Sequence, residues 1–97
     1  MFARVITMQL KSDKLDEAAK FYKENMIPSA KSQKGFNSNY LCFDRKTGKG
    51  ISIAFCVSEE DLNASEKSGW WQGQVDKFKE YLTGTWNREI YEVGAQS

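Results

Sequence analysis

The chain is predicted to fold as an α+β domain of order βαββαβ, a ferredoxin-like four-stranded antiparallel sheet with both helices on one face. Three observations carry that prediction. Apolar residues recur with helical spacing near 15–26 and again near 70–82, and four segments of strand character surround them. The stretch Lys46-Thr47-Gly48-Lys49-Gly50 supplies the turn residues of a hairpin between the middle two strands. Finally, the strand at 51–57 is apolar on both sides, with Ile51, Ile53, Phe55 and Val57 on one and Ser52, Ala54 and Cys56 on the other. Helices can cover one side only. The side with the larger residues is left for a second copy of the chain.

The first strand is expected over Phe2–Leu10, with Phe2, Arg4, Ile6, Met8 and Leu10 alternating against Ala3, Val5, Thr7 and Gln9. Ser12 or Asp13 caps the following helix, and Asp16 and Glu17 lie in its first turn, where the helix dipole favours negative charge. Leu15, Ala18, Ala19, Tyr22 and Met26 form one apolar stripe. Pro28 lacks an amide donor, so it ends or kinks the helix, with a short irregular continuation to about Gln33. Gly35 turns the chain into a second strand, Phe36–Arg45, and the hairpin returns it as Ile51–Val57. If the hairpin turns at Thr47-Gly48, Cys42 lies opposite Ile53, and Cys42 and Cys56 point to opposite faces, which excludes a disulfide; a bulge at Gly50 would shift that register. Ser58-x-x-Asp61 resembles a capping box and opens a short helical segment anchored by Leu62. Trp71, Val75, Phe78 and Leu82 mark the second main helix, broken by Thr83-Gly84. Arg88–Val93 is the last strand, and residues 94–97 are expected to fray.

The 97 residues make a single domain, and a chain this short buries only about 60 to 65% of its unfolded surface, a margin that a dimer improves. Fourteen basic against thirteen acidic residues leave a net charge of +1, with no block of like charge to bind nucleic acid or a membrane surface. Met1–Leu10 has no basic-then-apolar leader pattern, and no apolar run approaches a membrane span, so a cytoplasmic protein is expected. Histidine is absent, which removes the usual general base near neutral pH, the Ser-His and Cys-His nucleophile pairs and most zinc and haem ligation. Glu59, Glu60, Asp61 and Glu66 are read as a helix start and not as a metal site, because carboxylates that fan around a helix do not converge. No metal and no cofactor are expected.

Several segments together resemble the antibiotic biosynthesis monooxygenase-like family of dimeric α+β barrels. They are Lys14-Leu15-Asp16-Glu17-Ala18, Ile27-Pro28, Lys34-Gly35-Phe36, Asp44-Arg45-Lys46-Thr47-Gly48-Lys49, Ser58-Glu59-Glu60-Asp61-Leu62, Ala64-Ser65-Glu66 and Tyr91-Glu92-Val93. The resemblance implies a homodimer in which two sheets pack face to face, with a cavity in each subunit between its own sheet and helices. Members of the family include oxygenases that use neither flavin nor metal, in which an electron-rich phenol reacts with oxygen directly. Others degrade haem with an Asn, Trp, His set. This chain has no histidine, no asparagine in its first strand, and Cys56 where members often carry tryptophan, so the resemblance does not extend to haem degradation.

With the small-residue face toward the helices, Thr7, Ala54 and Cys56 are expected to line the pocket floor together with Asn39. Asn39 and Tyr22 are the candidates to hydrogen-bond a substrate's oxygens, and Trp71 to stack on an aromatic ring. The plain alternative is that Tyr22 and Trp71 fill the core and Asn39 caps a strand edge. Cys56 is expected to be an inert buried thiol, since no cation is evident beside it. Arg4, Asp44 and Glu92 are expected at solvated rims or as charges paired across the dimer. The dimer face is expected to contain Phe2, Ile6, Ile51, Ile53 and Phe55. Two functions compete: a cofactor-free oxygenase acting on a small aromatic or apolar molecule, and a non-catalytic ligand-binding or stress-associated homodimer. An enclosed cavity under about 100 Å³ counts for the second, since ligand pockets usually measure about 300–1,000 Å³.

Overall fold

The structure, a computed structural model, describes residues 1–97. Its elements are β1 (Phe2–Gln9), α1 (Leu15–Phe21), a π-helical turn (Tyr22–Met26), α2 (Ile27–Lys31), β2 (Phe36–Phe43), β3 (Lys49–Cys56), α3 (Glu59–Lys67), α4 (Trp70–Phe78) with a 3₁₀ turn (Lys79–Tyr81), and β4 (Asn87–Glu92). The four strands form one antiparallel sheet in the order β2-β3-β1-β4, the ferredoxin-like arrangement that the alternating strand and helix signals predict.

Pro28 neither ends nor breaks the first helix. The segment runs on from Leu15 to Lys31 because the π turn inserts one extra residue per turn just before it, and Pro28 falls in the opening turn of α2, where a missing amide is harmless. α3 begins as its sequence suggests: the Ser58 hydroxyl accepts the Asp61 amide at 3.1 Å, an N-cap that stabilises by about 1 kcal/mol. The hairpin between β2 and β3 is closed by Gly48, whose φ of +77° favours glycine and whose amide donates to the Asp44 carbonyl at 2.8 Å. Gly50, next along, must also lack a side chain, because a Cβ there would stand 2.9 Å from Leu10 and 3.2 Å from Met8.

Register decides which side of each strand faces the helices. In β1 and β3, Arg4 lies opposite Ala54, Ile6 opposite Ser52 and Met8 opposite Gly50; in β2 and β3, Asn39 lies opposite Ala54 and Leu41 opposite Ser52. The even-numbered residues of β1 and β3 therefore share a face with Asn39, Leu41 and Phe43, and Met8, Leu10, Leu15, Ala18, Tyr22, Phe78 and Tyr81 make the core there. Leu10 is 1% exposed, and burial of such a side chain stabilises by roughly 2 kcal/mol. The other face carries Ala3, Val5 and Thr7 beside Phe55, Ile53 and Ile51. Phe2 and Ile6, expected on that outer face, are on the helix side, since Phe2 pairs with Cys56 and Ile6 with Ser52. Cys42 pairs with Ile51 and not with Ile53; the shift by two keeps it on the outer face, away from Cys56, and both thiols are free. The one irregularity in the ladder lies between Phe36 and Ser38 and not at Gly50.

Candidate functional site between sheet and helices

The site begins with what β3 lacks. Ser52, Ala54 and Cys56 present small side chains to the helices at the centre of the sheet, so the layer above cannot close completely over them. Two rows cross the sheet on this face: Asn39, Ala54, Arg4 and Ile90, then Leu41, Ser52, Ile6 and Arg88. Above them hang Tyr22 from the π turn and Trp71 from α4. The result is a set of adjoining voids of about 50, 40 and 20 Å³.

The first void is apolar, bounded by Ile6, Met26, Val75 and Trp86, with the hydroxyls of Tyr22 and Ser52 on its floor. Tyr22 is 4% exposed; its hydroxyl donates to the Tyr40 carbonyl at 3.3 Å and lies 3.0 Å from the Ser52 hydroxyl. Burial raises the Tyr22 pKa, with the Ser52 hydrogen bond acting against it, so the phenol stays neutral and can donate a hydrogen bond. The Tyr22 ring packs edge-on against Phe78 at 6.2 Å, which fixes its tilt. Trp71 meets Trp86 edge to face at 5.6 Å and is half-buried at the wall shared by the first two voids.

The opposite end is polar and positively charged. Arg4, 5% exposed, donates from Nη1 to the Ser65 hydroxyl at 3.3 Å and to Glu66 at 3.1 Å, and its guanidinium lies 4.9 Å from the Trp71 ring centre. Glu66 also takes both contacts from Arg88 Nη2, at 2.7 and 2.8 Å. Desolvation lowers the Arg4 pKa, opposed by Glu66. Asn39, separated from Arg4 by Ala54 in the same row, makes no side-chain hydrogen bond to the protein and faces the same two voids as Arg4.

No protein-family model matches this sequence, and no curated protein aligns with it. Solved structures do match over nearly the whole chain. The monooxygenase from ActVA-Orf6 of Streptomyces coelicolor, solved in complex with nanaomycin D, superimposes with a TM-score of 0.79 at 13% identity, covering 99% of this chain and 90% of the other. Rv0793 from Mycobacterium tuberculosis gives 0.74 at 14% identity, covering 99% and 97%. SnoaB, a cofactor-independent oxygenase from Streptomyces nogalater, gives 0.73 at 9% identity, covering 98% and 94%. The chain has the fold of the antibiotic biosynthesis monooxygenases. At these identities the likeness is one of architecture, and the chemistry has to be argued from the residues present.

Within this monooxygenase-like fold, five of the six residues singled out in the sequence come together. Tyr22, Asn39, Trp71, Ala54 and Cys56 all border the voids between sheet and helices. Thr7 does not. It lies opposite Ile51 on the outer face, because it is odd-numbered in a strand whose even residues point to the helices. Cys56 does have a cation near it, contrary to expectation: Arg4 pulls the thiol pKa down, but burial outweighs it and the pKa is raised, so the thiol stays protonated. Arg4 is the residue that sequence reasoning misplaced, as a rim charge. Alternation places Arg4 in phase with Ile6, Met8 and Leu10, but only the pairing with β3 puts that phase on the helix side, where a charge has to be buried with a partner. Gln74, buried at the same void, falls between Trp71 and Phe78 at helical spacing and was legible from that spacing.

No helix is long and apolar enough to cross a membrane. Glu59, Glu60 and Asp61 occupy the first turn of α3, and Glu66 is committed to the two arginines.

Proposed function

We propose that the protein is a cofactor-independent monooxygenase-like enzyme, acting as a cytoplasmic homodimer on a small aromatic molecule held between the sheet and helices of each subunit. The observation that supports this most is the two-ended site: an apolar wall of Ile6, Met26, Val75 and Trp86 that suits a ring, ending at the Tyr22 hydroxyl and the Asn39 amide. Tyr22, kept neutral by burial, and Asn39 hydrogen-bond the oxygens of a phenolic substrate, and Trp71 stacks on its ring. Ala54 and Cys56 provide room. The ring carries the reducing power. For 1-naphthol, loss of the phenolic proton leaves an electron-rich ring, a carbon–oxygen bond forms to dioxygen at the para carbon, and the oxygen–oxygen bond then breaks. One oxygen stays as the new carbonyl and the other leaves as water. Naphthol plus dioxygen thus gives 1,4-naphthoquinone plus water, and all four electrons come from the substrate.

The voids as they stand, of about 50 and 40 Å³, are smaller than the roughly 150 Å³ cavity that accepts benzene. Substrate binding therefore displaces a wall, and half-buried Trp71, shared by both voids, is the side chain placed to move. The competing reading is a non-catalytic homodimer. Oxygen-electrode measurements with 1-naphthol and a panel of hydroquinones separate the two: uptake matched by quinone formation is expected. Identical products with and without air, and no uptake, would remove the oxygenase reading.

A further inference from the structure

We infer that the void selects an aromatic carboxylic acid, whose carboxylate is held by Arg4 while its ring lies against Trp71. This deepens the preceding reading, in that it rests on the same void being the ligand site, and it names the class of ligand.

Three features of the positive end support it. First, Arg4 is buried and borders the two smaller voids, yet both of its hydrogen bonds to the protein leave from Nη1; Nε and Nη2 make none. A guanidinium whose Nε–Nη2 edge is uncommitted presents two parallel N–H donors, the geometry that matches a carboxylate. Second, the local charge does not cancel. Arg4 and Arg88 share the single carboxylate of Glu66, while Lys34 and Asp61, the other charged groups at this end, lie 4.0 Å from each other. One positive charge remains between the two arginines; Arg88 is a third exposed and meets solvent, whereas Arg4 is buried at the voids, where an anion relieves it. Third, the polar end adjoins the apolar one. Asn39, across Ala54 from Arg4 in the same row, borders the same two voids with a free amide, and Trp71, already over the Arg4 guanidinium, forms the boundary where a ring attached to that carboxylate must begin. A carboxylate alone would leave the apolar end unfilled, and a neutral ring would leave Arg4 unmatched.

Sodium benzoate and benzamide, close in shape and different in charge, provide the test. Each is titrated into the ¹⁵N-labelled protein at constant ionic strength and followed by NMR. Benzoate is expected to bind at least tenfold tighter and to move the Arg4 Nε–H and Trp71 indole signals together. In Arg4→Met the preference should fall within twofold, with benzamide binding retained. Glu66→Gln frees both guanidiniums and should tighten benzoate several-fold, an effect opposite to that of simply damaging the fold. Equal affinities in the unaltered protein, no benzoate binding, or shifts that bypass Arg4 would overturn the inference, and the unaltered protein alone decides this if a variant does not fold. The oxygenase reading is tested separately, because 1-naphthol carries no carboxylate: its turnover without benzoate selectivity sinks this inference alone, and benzoate selectivity without oxygen uptake sinks the other alone.

Discussion

The two faces of one sheet, built from the same strands by alternate residues, have been given opposite characters. Toward the helices, the middle of the sheet carries Ser52 and Ala54 with Arg4 and Asn39, small or polar groups that leave space and place donors in it. On the outer face the alternate residues of the same strands are Ile51, Ile53, Phe55 and Val5, flanked by Tyr40 and Tyr91, each about half exposed. No helix of the chain lies on that side. The period of two along a strand lets one short segment serve both purposes, since a change at residue 53 leaves residues 52 and 54 facing the same void. The difference teaches that the larger apolar side chains of β3 lie on the face the helices leave open, and the smaller ones where the helix layer leaves room.

The largest effect is expected on the outer face. Ile53 lies between Val5 and Tyr40, so Ile53→Asp places a carboxylate at the centre of the proposed dimer contact, where an unpaired buried charge costs several kcal/mol. Sedimentation should then show a monomer that still has its helix-side core. An unaltered sedimentation coefficient would mean that the outer face carries no contact between copies of the chain.

A smaller effect is expected on the helix side. Tyr22→Phe removes the hydroxyl that bonds the Tyr40 carbonyl and Ser52, and should lower stability by about 1 kcal/mol in urea unfolding while leaving the dimer intact. Oxygen uptake, if it depends on the phenol, should fall by more than the loss of folded protein explains; equal falls would make Tyr22 a core residue only.

The smallest concerns the two thiols, one on each face. Cys42 is exposed and should be alkylated first, with Cys56 following only in alkaline solution. Because burial raises the folded pKa of Cys56 above its ordinary thiol value, the folded state holds that proton longer than the unfolded state. Its contribution is therefore intact below the thiol range and is lost as pH rises through it. Cys56→Ala should flatten that part of the stability profile, measured as unfolding midpoints at neutral and alkaline pH; an unchanged slope would place the thiol in solvent.

Much of the site could be read from the sequence because helical and strand periods are local properties. Tyr22 and Trp71 are found by the stripes they belong to, and Ala54 and Cys56 by alternation along one strand. Thr7 was misassigned for a reason of a different kind: nothing within Phe2–Gln9 states which of its two faces meets the helices. That follows only from pairing with β3, where Thr7 meets Ile51. Arg4 was missed because a charge in a strand suggests solvent, and its partner Glu66 lies 62 residues away.

The sequence by itself determined the order of elements, the four-stranded sheet, the hairpin at Gly48 and the two-sided apolar character of the third strand, all of which depend on neighbours a few residues apart. Tertiary structure alone decided that Arg4 is buried with Glu66 and Arg88, that Asn39 faces the same voids from across Ala54, and that the helix passes Pro28 through a π turn. These depend on strand register and on contacts between distant segments, where a slip of one residue exchanges every side chain between the two faces.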